Sequence, residues 1–176
     1  MEHTIANVWI VQGIIFTLVY GYESLGFAKD PEHCYAKEGS DSIATNFDAA
    51  EDDTDYVDVG ERFHIVFTIN YYAAMIVGLS GILHSFEVKA IRLVTRAFGT
   101  LAQQLMGVTA LVGIVFRLLH TGQVCSGDFL EEDELKDSSG YLTSQGWLLM
   151  LFVYIWIIMC ACGLLTAALA IIRGLC

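Results

Sequence analysis

Positive charge is scarce in this sequence. Nine lysines and arginines stand against twenty aspartates and glutamates in 176 residues, which gives a formal net charge of −11. Proteins that bind nucleic acid gather Lys and Arg on a basic face, because they must neutralise phosphates. The composition therefore argues against a nucleic-acid partner.

Acids and lysines are missing from four long apolar runs, at roughly 5–22, 64–86, 99–119 and 147–172. Each run is close to the ~20 residues that a helix needs to cross ~30 Å of hydrocarbon. A helix also satisfies its own backbone hydrogen bonds in lipid. The sequence predicts an all-α membrane protein, with four transmembrane helices forming one antiparallel bundle over 1–176.

Ionisable groups within a bilayer usually mark proton relays and ion-coupled transporters, and their near absence here argues against both. Arg117 is the one formal charge inside a run, close to one end. We expect it to extend towards the acids of the loop that follows. Nothing in the sequence indicates catalysis, so we expect a protein that is not an enzyme.

The few basic residues have an informative distribution. Lys89, Arg92 and Arg96 fall between the second and third runs, and Arg173 follows the fourth. Lys and Arg near membrane crossings stay on the cytoplasmic side. This predicts an inside loop at 87–98, with both termini on the same side. Eighteen of the twenty acids then fall in two outside loops, 23–63 and 120–146.

No positively charged segment precedes the first run and no suitable cleavage site follows it, so we interpret it as an uncleaved crossing. The sequence has no N-x-Ser/Thr acceptor, so glycosylation gives no independent evidence on sidedness. We expect an integral, multi-pass protein of the plasma membrane or secretory pathway rather than the mitochondrial inner membrane.

Only two of the five cysteines lie in the predicted outside loops. Cys34 is in the first loop and Cys125 in the second. Compartments outside the cytosol are usually oxidising. We therefore predict a Cys34–Cys125 disulfide that ties the two loops together; two free thiols would instead indicate a reducing location.

Histidines lie near the ends of the runs, with His64 and His120 at the outer level and His84 and His3 at the inner level. Facing histidine pairs can ligate b-type haem. However, His64 and His84 are 20 residues apart on one helix, which puts them on nearly opposite faces. Interfacial histidines are the favoured interpretation, no cofactor is expected, and haem is kept as an alternative.

Acids crowd the end of the first outside loop. The spacing of Asp53 and Asp55 begins like a calcium-binding loop, but Val57 and Asp58 then break the pattern. A weak cation site is one hypothesis, with Asp52, Asp53, Asp55 and Asp58 as its members. The alternative is a solvated acidic loop that docks a basic partner.

Small residues mark expected contacts between helices, because they let backbones approach closely in lipid. The predicted packing residues are Ala74, Gly78, Gly107, Gly113, Gly163 and Ala167. The second and third helices should form an antiparallel hairpin, since the loop between them is short.

The predicted layout resembles that of claudin-like and MARVEL-type tetraspan proteins in topology. The claudin-like signature of a tryptophan with paired cysteines is absent, because the first outside loop holds Cys34 alone and no Trp. Tetraspanins carry the larger loop second, whereas here it comes first. The sequence is assigned to none of these families.

These observations favour a non-enzymatic subunit or organiser of a larger membrane assembly. Its partners would be the lipid bilayer and either other membrane proteins or a basic extramembrane protein, and a homo-oligomer is a further expectation. Two alternatives stay open. One is a small cation channel or channel-accessory subunit, and the other is a b-type haem anchor for electron transfer.

Overall fold

The computed structural model describes residues 2–29, 33–44, 48, 50, 53–86, 88–130, 140–155, 157 and 158; in the first helix, side chains are described for 5–25. In chain order, the elements are α1 Glu2–Lys29, β1 Tyr35–Lys37, β2 Tyr56–Asp58, α2 Val59–His84, α3 Lys89–Leu118, α4 His120–Cys125 and α5 Thr143–Ile155.

Among the described residues, three helices are long and apolar enough to cross a membrane: Ile5–Leu25, Val59–His84 and Lys89–Leu118. This agrees with a helical integral membrane protein. The shorter apolar helix α5 covers the start of the fourth predicted span, and positions 157 and 158 are also helical. The predicted roles of Gly163, Ala167 and Arg173 lie outside the described residues.

Helices α2 and α3 form the predicted antiparallel hairpin. At the middle level, Thr109 of α3 donates a hydrogen bond to the Asn70 side chain of α2 over 2.7 Å. Near the turn that joins the two helices, the His84 ring nitrogen lies 3.4 Å from the Thr95 hydroxyl. Asn70 is fully buried, so these contacts fix the register of the two helices from inside the bundle.

The segment predicted as an inside loop, 87–98, is largely helical, because α3 begins at Lys89. Neither proline nor glycine interrupts 88–98, and the Arg92 amide already donates to the Val88 carbonyl. A helix of 30 residues is about 45 Å long. It exceeds the hydrocarbon thickness, which is compatible with basic first turns that lie outside a bilayer.

Helices α1 and α2 pack with their backbones in close contact. A Cβ built on Gly13 would lie 2.3 Å from the Gly78 Cα and 3.1 Å from the Ala74 carbonyl oxygen. Ala74 and Gly78 thus lie at a helix contact, with Gly13 as a partner that the sequence analysis missed. Only residues without bulky side chains permit this approach.

Helix α3 uses two of its glycines in the same way. The Trp9 ring of α1 packs on Gly99, and Val66 and Leu149 pack on Gly113. Gly113 therefore lies at a helix contact. No described atom lies within 4 Å of a Cβ built on Gly107, so its packing role stays a prediction.

Aromatic side chains join α5 to α1. The rings of Tyr20 and Phe152 stack with centroids 5.5 Å apart, and Phe16 lies 6.3 Å from Phe152. Tyr20 also packs against Phe67 of α2. Helices α1, α2, α3 and α5 thus share one core.

The disulfide-linked cap as a candidate interaction surface

The segments outside the long helices build a folded cap, defined here as residues 33–44 and 53–58, α4, and residues 126–130 and 140–142. Its sheet pairs β1 with β2 antiparallel, with Tyr35 opposite Asp58 and Lys37 opposite Tyr56. Ala36 also bridges Ile43. The all-α prediction missed this sheet because strands of three residues leave too little pattern to recognise.

Cys34 and Cys125 form the predicted disulfide, with sulfurs 2.05 Å apart and Cα atoms 5.9 Å apart. Both cysteines are completely buried, in contact with the core that includes Val59, Phe63 and Leu142. The bond therefore sits at the base of the cap, between the first loop and the start of the bundle.

Backbone hydrogen bonds fix both ends of the disulfide. The Val59 amide at the start of α2 donates to the Cys34 carbonyl over 2.9 Å. The Leu142 amide, just before α5, donates to the Cys125 carbonyl over 2.7 Å. Because both cysteines are joined to the chain entering a helix, the cap and bundle are held in one arrangement.

The acids of the predicted cation site have other roles. Asp58 caps α2, since its carboxylate accepts the Glu61 amide over 3.0 Å, and its second oxygen lies 2.5 Å from His33 Nδ1. Asp53 accepts the amide of Asp55 over 3.0 Å. Asp52 lies outside the described residues.

The cation-site hypothesis is therefore not supported. Within the described ranges, no group of three His, Cys, Asp or Glu residues is placed to hold a metal ion. The pattern Asp58-x-x-Glu61 matches a capping signature at a helix start. This signal could have predicted that α2 begins at Val59 instead of near 64.

A surface ion pair crosses the sheet between Lys37 and Asp55. The hydrogen bond to Asp55 raises the pKa of Lys37 above its ordinary value, and the nearby charges of Asp55 and Asp53 act in the same direction. The ammonium group also lies 5.8 Å from the Tyr56 ring centroid. The pair is exposed, so it orients side chains more than it stabilises the fold.

The predicted outer histidine pair is engaged in separate contacts. His120 Nε2 donates to the Ser40 carbonyl over 3.1 Å, which ties α4 to the first loop. His64 Nε2 lies 3.4 Å from the Thr68 hydroxyl, which in turn lies 2.8 Å from the Ser24 hydroxyl of α1. These contacts link neighbouring segments and do not indicate a shared ligand.

At the inner level, His84 is buried with its ring centroid 6.0 Å from that of Trp9. The His3 side chain lies outside the described residues. The four histidines named as haem ligands are therefore not brought together by any described contact.

Arg117 joins three segments at the boundary between cap and bundle. Its guanidinium donates to both Asp128 carboxylate oxygens, over 2.8 and 2.6 Å. Its Nε donates to the Gly146 carbonyl of α5 over 3.0 Å. The arginine is buried, and the expectation that it extends to an acid of the second loop is confirmed.

The outward surface of the cap is acidic. Glu38, Asp41 and Asp53 are exposed on it, and Asp48 is exposed in the chain between its first two segments. Since the cap is folded, these carboxylates have defined positions. A surface of this kind suits a partner that presents Lys or Arg.

Comparison with known proteins adds no assignment. The chain matches no protein-family model, and no curated protein or solved structure is significantly similar to it. The functional argument therefore depends on the geometry described above.

Proposed function

We propose that this chain is a non-enzymatic subunit or organiser of a larger membrane assembly, and that the cap docks a basic partner outside the membrane. In this proposal four helices cross the bilayer and both termini are cytoplasmic. The membrane is the plasma membrane or one of the secretory pathway.

One observation carries the proposal: the acid-rich surface is built on a cross-linked, buried core. Cys34 and Cys125 are fully buried, while acids such as Glu38 and Asp48 remain exposed. Because the charges of the cap are already held in fixed positions, little conformational entropy of the cap is lost when a partner binds. Complementary charge also favours specificity and fast association.

The orientation has two supports at opposite ends of the α2–α3 hairpin. Lys89, Arg92 and Arg96 lie on the first turns of α3, as expected for a cytoplasmic end. The disulfide lies at the other end, as expected for an oxidising compartment. Because α5 starts beside the cap and runs into the bundle core, a fourth crossing completes the arrangement.

The channel and haem alternatives have weaker support. Phe63, Phe67 and Val77 are buried in the described core, so apolar side chains occupy the space where a pore would be expected. For haem, the described contacts of His64, His84 and His120 are with Thr68, Thr95 and Ser40 respectively. No specific observation favours either function.

The test is purification from the native membrane in mild detergent, followed by identification of the chains that co-purify. The variant carrying Glu38→Gln and Asp48→Asn should retain less partner, by up to about fivefold per charge, with a weaker dependence on salt. The control carries Glu2→Gln and Glu87→Gln, the same loss of two charges on the proposed cytoplasmic side. A monodisperse protein without a co-purifying chain would contradict the proposal.

A further inference from the structure

The outward face of α3 carries a regular stripe, called here the seam. Its members recur with alternating spacings of three and four residues: Val94, Ala97, Leu101, Gln104, Val108, Leu111, Val115 and Leu118. This is the heptad spacing of helices that pack along their whole length. All eight residues are exposed, with Leu101 at 63%, Val108 at 59% and Val115 at 56%.

The opposite face of α3 is already occupied. Its buried residues are Thr95, Gly99, Ala102, Met106, Thr109, Gly113 and Arg117. At 100° per residue they centre half a turn from the seam. The helix therefore has one face for its own bundle and a second, continuous face that the described chain leaves uncovered.

Gln104 distinguishes the seam from an ordinary lipid-facing stripe. It lies at the middle of α3 and is exposed, and none of the described hydrogen bonds involves its amide. The adjacent Gln103 instead donates to Gln12 of α1 over 3.2 Å. Hydrocarbon offers an amide no hydrogen-bond partner, and Gln104 lies five residues inside the predicted span that begins at 99, about 7–8 Å from its end. An unpaired Gln104 facing lipid would be costly.

We propose that the seam packs against the seam of a second copy of this chain. Copies inserted by the same topology rules have the same orientation, so a two-fold axis along the membrane normal makes their α3 helices parallel. In a parallel heptad pair, equivalent positions meet across the axis. Gln104 then faces Gln104 of the partner subunit, and an amide both donates and accepts.

Gly107 supports this packing. It lies about 60° around the helix from Gln104 and has no described atom within 4 Å of an added Cβ. A glycine with open space beside a polar contact permits close approach of a neighbouring helix. The contact that Gly107 lacks among the described residues is thus available between chains. The inference requires only that α3 crosses the membrane, and it is independent of what the cap binds.

Cysteine cross-linking in lipid vesicles gives the first test. In a background with Cys160, Cys162 and Cys176 replaced by serine, single cysteines are introduced by Leu101→Cys, Val108→Cys or Leu111→Cys. Matched controls are Leu79→Cys and Ile82→Cys on α2, which are also exposed. We expect covalent dimers from the seam positions alone. Equal cross-linking of the controls, or none at the seam, would overturn the proposal.

Dilution of fluorescently labelled protein in vesicles, with energy transfer between copies as the readout, tests the role of the amide. Gln104→Leu should weaken self-association roughly 3- to 30-fold, whereas Gln104→Asn should retain most of it. An unchanged Gln104→Leu variant would contradict the pairing of the two amides. Wild-type protein that stays monomeric at high density in the bilayer would refute the dimer itself, as would seam cross-links formed only to a different protein.

Discussion

The cap and the bundle are stabilised by different interactions. The cap depends on a disulfide, on backbone hydrogen bonds to Cys34 and Cys125, and on polar pairs such as His120 with Ser40. The bundle depends on close packing, with Gly13 against Gly78 as its tightest contact. In lipid, burial of apolar surface does not drive helices together. In water, the small cap has little apolar surface to bury and needs a cross-link.

Loss of the disulfide should have the largest effect. Cys34→Ser removes a cross-link between residues 91 positions apart, worth about 4 kcal/mol in the chain-entropy account. The cap should become sensitive to protease, while the far-UV circular dichroism of the long helices is retained. Cys176→Ser is the control. Simultaneous loss of helical signal would mean that cap and bundle are not separately stabilised.

Within the bundle, adding one methyl group to a glycine distinguishes tightly packed positions from open ones. Gly13→Ala places a Cβ within 2.3 Å of Gly78, whereas Gly107→Ala meets no described atom within 4 Å. We expect Gly13→Ala to destabilise the detergent-solubilised monomer by about 1–3 kcal/mol. Gly107→Ala should leave its stability unchanged or slightly higher. Thermal unfolding of both variants measures this difference. Equal melting temperatures would contradict the close contact of α1 and α2.

A smaller effect is expected from the polar contact inside the bundle. Thr109→Val removes the donor to Asn70, whose side chain still donates to the Val66 carbonyl. The expected loss is about 0.6–2 kcal/mol, the range for hydrogen bonds between helices in membranes. Thr100→Val, an exposed position on α3, is the control. Denaturation in mixed micelles should show a loss only for Thr109→Val.

The smallest effect should come from the exposed pair on the cap. Lys37→Met should leave the melting temperature at pH 7 nearly unchanged, because exposed ion pairs contribute little. The pKa of Lys37 is raised by Asp55. A raised lysine pKa means that the contribution is present at lower pH and is lost as the pH rises through the folded-state pKa. Any difference between variant and wild type should therefore disappear at strongly alkaline pH. A difference that grows there would reverse the assigned sign.

The long helices were predictable because hydrophobic length is a strong signal. Three of the four apolar runs correspond to helices long enough to cross a membrane. The Cys34–Cys125 pair was also predictable, since loop assignment left only two cysteines on one side. Helix ends were not predictable, as the helix starts at Val59 and Lys89 show. An apolar run marks only the part of a helix that suits lipid, and a helix can continue beyond that part into water.

Contacts between elements were largely invisible in the sequence. A spacing of four identified Gly78 but not its partner Gly13, because the glycines of α1 that contact α2, Gly13 and Gly21, are eight positions apart. Asp58 illustrates the same limit for polar groups. Its acidic neighbours made it a candidate cation ligand, while its position before α2 made it a helix cap. Composition could not distinguish these roles, but the local pattern with Glu61 could.

The long separation of the two bonded cysteines has a consequence for synthesis. Cys34 emerges first and cannot reach its partner until 91 more residues have been made. At 5–20 residues per second, this takes about 5–18 s. During that interval the Cys34 thiol is accessible to any other chain in the same compartment. Interrupted or slowed translation should therefore leave mixed disulfides through Cys34. The rate of translation thus affects whether Cys34 bonds to Cys125 or to another chain.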